Sequence, residues 1–87
     1  MLLSIDMRLD KFLKVSRLIK RRELAKEFIE HNFVLLNDKE VKPSAEVKIG
    51  DKITIISPSK KITNVIIKEV RMISTIDNAS NMYELLS

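Results

Sequence analysis

The segment Met7-Arg-Leu-Asp-Lys-Phe-Leu-Lys-Val-Ser-Arg-Leu-Ile-Lys-Arg-Arg22 concentrates positive charge within an 87-residue chain. Its seven basic residues outweigh a single acid, Asp10, so the segment carries +6, while the whole chain carries +4 and the remainder therefore −2. A basic segment on an otherwise slightly acidic small protein is typical of polyanion binding. A solvated helix face is the simpler interpretation of a charge run, but this run also contains an apolar helical pattern. The basic residues are Arg8, Lys11, Lys14, Arg17, Lys20, Arg21 and Arg22.

Two short helices are predicted within and directly after this segment. The first runs from residue 8 or 9 to about 16, because its apolar residues recur at the spacing of one helical face. A turn over residues 17–20 leads to a second helix over about 21–31. Asn32 is expected to end that helix, because Asn tolerates the left-handed backbone conformation. The residues expected on the buried faces are Leu9, Phe12, Leu13, Ser16, Leu24, Ala25, Phe28 and Ile29.

After Asn32 the pattern changes to short runs typical of β-strands. Asn37-Asp38 is a hairpin-turn signal, and Gly50, the only glycine, is expected to fill a turn position that needs a positive φ. The predicted strands are 33–36, 40–42, 52–57 and 62–70, with loops or turns at 43–46, 49–51 and 57–60. Residues 73–79 are less regular, and residues 81–86 are expected to form a short closing strand or turn. We therefore predict an α+β fold in which two N-terminal helices pack on one face of a small twisted antiparallel sheet, with Phe12 and Phe28 in the core.

The composition favours a binding module over an enzyme. The chain has no Cys, so it can form neither a disulfide nor a thiolate metal site. His31 is the only histidine, and one glycine cannot build a common phosphate-binding loop. We expect no catalytic residue, metal or cofactor, and no membrane association, since no apolar run approaches the roughly 20 residues that span a bilayer. We expect residues 1–6 to be an N-terminal extension and residues 7–87 to form a single domain that acts as a monomer.

The basic residues are placed to contact phosphates along a bent surface. Two lysines lie on the outer face of the first helix, two basic residues lie in the turn, and Arg21 and Arg22 lie at the start of the second helix. A helix N-terminus offers unpaired N–H groups and the positive end of the helix dipole. Guanidinium groups placed beside them complete a phosphate-binding site. With few aromatic residues for stacking, recognition of structured RNA by shape and phosphate fits better than binding of single strands. Charge alone leaves DNA as an alternative, although no base-reading helix is predicted.

The order of helix, basic turn, helix and short strands resembles the alpha-L RNA-binding domain, first described in small-subunit ribosomal protein four. From about Met7 to Leu86, the chain is similar to small stand-alone members that act in bacterial ribosome-associated quality control. Asn32 and Asn37-Asp38 replace the usual Gly and Asn-Gly of the family. The matching motifs are Arg8-Leu-Asp-Lys-Phe-Leu13, Ser16-Arg17, Lys20-Arg21-Arg22, Ala25-Lys26, Val34-Leu-Leu-Asn37, Lys42-Pro43, Val47-Lys-Ile-Gly-Asp51 and Ala79-Ser-Asn-Met-Tyr83.

The resemblance implies a cytoplasmic factor that binds the large ribosomal subunit retaining peptidyl-tRNA after a stalled ribosome has split. It implies contacts with the rRNA stem-loop helix sixty-nine and the neighbouring tRNA, and assistance to RqcH in untemplated alanine tailing. By motif, Arg8 and Arg22 carry the rRNA contact, and Asp10 caps the first helix or holds a neighbouring arginine. The residues that match the family's basic surface less specifically are Lys11, Arg17, Lys20 and Arg21.

Two other functions remain open at this point. A heat-shock-type factor of the same family, which rescues or recycles stalled large subunits, typically has a longer basic tail, whereas this chain ends in Glu84-Leu-Leu-Ser87. A protein-interaction adaptor would use the same basic surface to meet an acidic partner. Salt-dependent binding to acidic proteins as well as to both ribosomal subunits would favour the adaptor.

Overall fold

The computed structural model describes residues 7–70 and 79–86. Both predicted helices are confirmed, and the predicted strand regions are confirmed with shifted ends; the interpretation of residues 73–78 and of the extension lies outside the described residues. None of the described helices is long and apolar enough to cross a membrane. The elements are β1 (Met7–Arg8), α1 (Leu9–Val15), α2 (Arg22–Glu30), β2 (Val34–Leu36), β3 (Lys39–Glu40), β4 (Glu46–Val47), β5 (Lys52–Ile56), β6 (Ile62–Ile67), a single 3-10 turn (Ser80–Met82) and β7 (Tyr83–Leu86).

The two helices cover one face of an antiparallel sheet, as predicted. Five strands form this sheet in the order β3-β2-β5-β6-β7, while β1 and β4 form a separate two-stranded ribbon. Alternate residues of β2, β5 and β6 point to the same face, where they meet the apolar faces of α1 and α2. The core residues include Leu9, Phe12, Leu13, Ala25, Ile29, Val34, Leu36, Ile53, Val65 and Ile67.

The turns take the conformations that their residues favour. Asn32 ends α2 with φ 62°, and Asn37 and Asp38 have φ 53° and 66°, the left-handed pair that a tight hairpin requires. Gly50 has φ 95°, a conformation that L side chains rarely adopt. The substitution of Asn and Asp for glycine therefore preserves the turns.

The motif residues Asn37 and Asp51 join two turns to each other. Asn37 Nδ2 donates to Asp51 Oδ1 at 3.2 Å, and Asn37 Oδ1 accepts from the backbone N–H of Lys52 at 2.9 Å. Asp51 Oδ2 also accepts from the backbone N–H of Lys48 at 2.8 Å. These bonds fix the β2–β3 turn against the start of β5, so the two motifs stabilise the sheet.

Two residues of α2 are less buried than predicted. Leu24 is 40% exposed instead of buried, and Phe28 is only half-buried. Leu24 and Phe28 are four positions apart and share one flank of α2, which lies at the border of the helix–sheet interface. There Phe28 meets Phe33 edge to face, with ring centroids 5.8 Å apart.

The prediction for the segment between β2 and β5 also needs correction. The return strand starts at Lys39, directly after the hairpin turn, and not at Glu40. Glu46, predicted as loop, pairs with Arg8 in the β1–β4 ribbon. Strands of two residues have no measurable period, so the sequence pattern could not reveal this ribbon.

Candidate nucleic-acid interface

Arg8 and Arg22 share one partner, the buried carboxylate of Asp10. Arg8 donates from Nε to Oδ1 and from Nη2 to Oδ2, both at 3.2 Å. Arg22 Nε lies 3.3 Å from Oδ2. This Nε atom is buried without a hydrogen bond to any described residue, so its contact with Asp10 is an ion pair. The Arg8–Asp10–Arg22 cluster joins the starts of both helices and carries a net charge of +1.

The acid of the cluster is buried, whereas its two arginines are partly exposed to solvent, where a ligand can reach them. The Asp10 side chain is 0% exposed, whereas the side chains of Arg8 and Arg22 are 49% and 41% exposed. Asp10 Oδ1 also accepts from the backbone N–H of Lys11 at 2.8 Å, so the acid is held inside the protein. Arg22 directs its Nε edge toward Asp10, so its two Nη groups can reach a phosphate. A planar fork held in this way can grip two phosphate oxygens at once.

The backbone beneath the cluster is fixed from two sides. Arg8 pairs with Glu46 in the ribbon and has the extended conformation of a helix N-cap, with φ −75° and ψ 147°. The backbone N–H groups of Leu9 and Asp10 donate to carbonyls of the β3–β4 loop at 2.8 and 3.2 Å. The start of α1 therefore uses its N–H groups within the protein, and Arg8 and Asp10 project from a rigid base.

The start of α2 has the features predicted for a phosphate site. Arg22 is the first helical residue, and Arg21 is the N-cap, with extended backbone and no side-chain capping bond. The N–H groups of the first turn therefore receive no acceptor from the Arg21 side chain, and the positive end of the helix dipole lies beside two guanidinium groups. This confirms the placement of Arg21 and Arg22 at the start of the second helix.

The remaining basic residues of the segment differ in exposure and in surroundings. Lys20 and Arg21 line a groove with Glu23 and Glu27, so acids balance the local charge there. Lys11 is half-buried. The exposed residues of this group, which a large polyanion can reach, are Lys14, Arg17, Lys20 and Arg21.

Arg17 has a backbone conformation that its residue type disfavours. Its φ is 63°, in the left-handed region that is usually left to Gly, Asn or Asp. It lies directly after α1, where its backbone N–H donates to the carbonyl of Lys14 at 3.1 Å. A long basic side chain at a strained, exposed turn favours a role outside the fold itself.

We expect Arg17→Gly to have opposite effects on stability and on RNA binding. Glycine relieves the left-handed strain, so the free energy of unfolding should rise by up to about 1 kcal/mol, after glycine's own entropic cost. Affinity for structured RNA should fall by about tenfold with the loss of a charge-assisted contact. Denaturation and equilibrium binding measure the two effects.

Lys60 provides a matched control for this prediction. It has φ 68° in the β5–β6 turn, outside the basic segment of residues 7–22. Lys60→Gly should stabilise the protein similarly and leave binding unchanged. Equal loss of binding in both variants would show that only total charge matters.

Sequence reasoning missed Lys26 and Lys42 as neighbours of the cluster. Both line a groove that also includes Arg8. Lys26 follows Arg22 by four positions, and this spacing places both on one face of α2. The four-residue spacing of Lys26 from Arg22 could therefore have been used to place Lys26 near the cluster. Lys42 follows the hairpin, where periodicity does not indicate which residues lie together.

A family model described as the S4 domain matches residues 7–53, more than half of the chain. The chain belongs to the S4 domain family. The resemblance inferred from the motifs is thereby confirmed. The matched part of the S4 domain contains the complete Arg8–Asp10–Arg22 cluster and the bonds between Asn37 and Asp51.

The alignments with similar proteins extend over nearly the whole length of this S4 domain protein. It is 46% identical over 80 residues to the RQC P-site tRNA stabilizing factor of Bacillus subtilis, covering 92% of each chain. It is also 46% identical over 79 residues to the protein of the same name from Halalkalibacterium halodurans, covering 91% of this chain and 89% of that one. The solved trimeric structure of Vibrio cholerae Heat Shock Protein 15 superposes with a TM-score of 0.88 at 30% identity, covering 95% of this chain and 84% of that chain. The predicted α+β fold is therefore confirmed.

Proposed function

We propose that this S4 domain protein binds the large ribosomal subunit that retains peptidyl-tRNA and stabilises the tRNA there during ribosome-associated quality control. In this proposal, the Arg8–Asp10–Arg22 cluster contacts the rRNA stem-loop helix sixty-nine, and the surrounding basic residues contact the neighbouring tRNA. The bound protein supports RqcH in untemplated alanine tailing. It acts by binding alone, as a monomer, with residues 7–87 as one RNA-binding domain and residues 1–6 as an extension.

The observation that carries this proposal is the pair of arginines held by one buried acid. A buried carboxylate with two arginine partners costs desolvation, and such a pair is weak support for stability on its own. Here it orients two half-exposed guanidinium groups toward the solvent on one surface, as phosphate recognition requires. The name shared by the similar proteins, RQC P-site tRNA stabilizing factor, supports tRNA on a ribosome as the partner.

Co-sedimentation with purified ribosomal subunits tests the proposal. Large subunits prepared with peptidyl-tRNA, large subunits stripped of tRNA, and small subunits are compared at one salt concentration. We expect binding to large subunits, with a preference for those that retain peptidyl-tRNA. Equal binding to all three particles would contradict the proposal.

We expect Arg8→Lys and Arg22→Lys each to weaken binding to the large subunit by about tenfold, although the charge is kept. Lysine has no planar fork, so it loses the contact with Asp10 or the bidentate grip on phosphate. Lys11→Ala and Lys14→Ala, which each remove a full charge, serve as comparison variants. If all four variants lose similar, small amounts of binding, a diffuse positive field explains the affinity.

The similarity to Heat Shock Protein 15 favours a second candidate, a heat-shock-type factor that rescues or recycles stalled large subunits. A reconstituted tailing reaction separates the two. Stimulation of alanine addition by RqcH favours the first candidate, and normal subunit binding without stimulation favours the second. Binding that survives ribonuclease treatment would instead favour a protein-interaction adaptor.

A further inference from the structure

We propose that the groove between α2 and the β3–β4 loop holds one unpaired nucleotide of the bound RNA. The base would lie on the apolar floor of the groove, and its phosphate would meet the basic rim. This inference rests on the proposed RNA-binding function and adds a second subsite, with its ligand class, beside the Arg8–Asp10–Arg22 cluster.

The groove combines a cationic rim with an apolar floor. Its volume is about 560 Å³, within the range of roughly 300–1,000 Å³ that small ligands occupy. Three basic side chains and one acid at the rim leave a net charge of +2, which favours an anionic occupant. We call the charged lining residues the rim and the apolar ones the floor: the rim is Arg8, Lys26, Lys42 and Glu30, the floor is Ile29, Val41 and Pro43, and Asn32 and Ser44 complete the lining.

A nucleotide fits this combination because it joins a flat, weakly polar ring to an anion. Phosphates of a fully paired stem could touch the rim, but their bases stay stacked and cannot reach the floor. An unpaired or extruded nucleotide can present its base to the apolar side chains while its phosphate remains at the rim. The floor therefore distinguishes an unpaired nucleotide from a duplex, and the rim alone does not.

Both walls of the groove adjoin the Arg8–Asp10–Arg22 cluster. Arg8 lies in both, with its Nε and Nη2 on Asp10 and its exposed part at the rim. Lys26 lies about 6 Å along α2 from Arg22. On the other wall, the carbonyl of Pro43 accepts the backbone N–H of Asp10 at 3.2 Å. One RNA strand can thus contact the cluster and the groove together.

Two RNA stem-loops test the inference, one fully paired and one with a single bulged uridine in the same stem. By fluorescence anisotropy, we expect the unmodified protein to bind the bulged RNA about tenfold more tightly, the effect of burying roughly 50–60 Å² of apolar surface. Val41→Thr, which makes the floor polar at nearly constant volume, should abolish this preference, whereas Lys26→Ala/Lys42→Ala should weaken the binding of both RNAs. Lys60→Ala/Lys61→Ala, which removes the same charge at the β5–β6 turn, should keep the preference.

Crosslinking identifies the surface that holds the base. A 4-thiouridine at the bulge should crosslink to the peptide over residues 41–44. Crosslinks confined to residues 9–22, or equal affinity for the two RNAs, would overturn the groove inference and leave the proposed RNA binding intact. Failure to bind either RNA, with capture of an acidic peptide in the groove instead, would overturn both.

Discussion

Replacing Asp10 by Asn is expected to weaken binding to the large ribosomal subunit by about ten- to a hundredfold, although it removes a negative charge. Asp10 Oδ2 faces Arg8 and Arg22, while Oδ1 faces Arg8 and the backbone N–H of Lys11. An amide places an NH₂ donor at one of these positions, so either orientation sets donors against donors. Both guanidinium groups lose their fixed direction, and RNA must then order them on binding.

The same substitution should lower the free energy of unfolding by about 1.5–3 kcal/mol, the size of lost charge-assisted bonds. Binding is therefore measured at a temperature where both proteins are fully folded, as checked by thermal denaturation. Glu27→Gln, on the exposed face of α2, removes the same charge outside the cluster and should raise RNA affinity slightly. A rise in affinity for both variants would mean that net charge alone governs binding.

Replacing Phe12 by Ala is expected to lower the free energy of unfolding by about 3–5 kcal/mol, a large part of the stability of a small domain. Phe12 is 0% exposed and is among the largest buried side chains. It lies on α1, two residues after Asp10, so its packing against the sheet also holds the helix that presents the buried acid. Denaturant unfolding, with its midpoint and slope, measures the loss.

Phe28→Ala is the matched comparison for this variant. Phe28 is half-buried at the border of the helix–sheet interface, so its truncation should cost about half as much. A loss for Phe12→Ala no greater than that for Phe28→Ala would contradict the packing of α1 on the sheet.

The local features of this fold follow from short-range signals. The apolar spacing around Phe12 predicted α1, and Asn32, Asn37 and Gly50 marked turns whose positive φ the structure confirms. The basic residues of the two helix starts were evident from the same segment. These features depend on neighbours within a few positions, where pattern and residue type are informative.

The features that sequence reasoning missed depend on how the elements meet. The burial of Asp10 and its contact with Arg22 require the starts of α1 and α2 to lie side by side, which the turn through Arg17 and the packing on the sheet determine. The family motif suggested that Asp10 holds a neighbouring arginine, but not that it holds two. Leu24 was misplaced because its spacing fits the buried face of α2, and only the width of the interface shows that it lies outside.

A double-mutant cycle between Asp10 and Arg22 tests most directly whether the buried acid acts through the arginines. The binding free energies of the unmodified protein, Asp10→Asn, Arg22→Ala and the double variant are measured with large subunits at one salt concentration. A coupling energy of about 1 kcal/mol or more is expected, because Asp10→Asn should cost much less once Arg22 is absent. Losses that add independently, to within about 0.3–0.5 kcal/mol, would show that Asp10 does not position Arg22 for RNA.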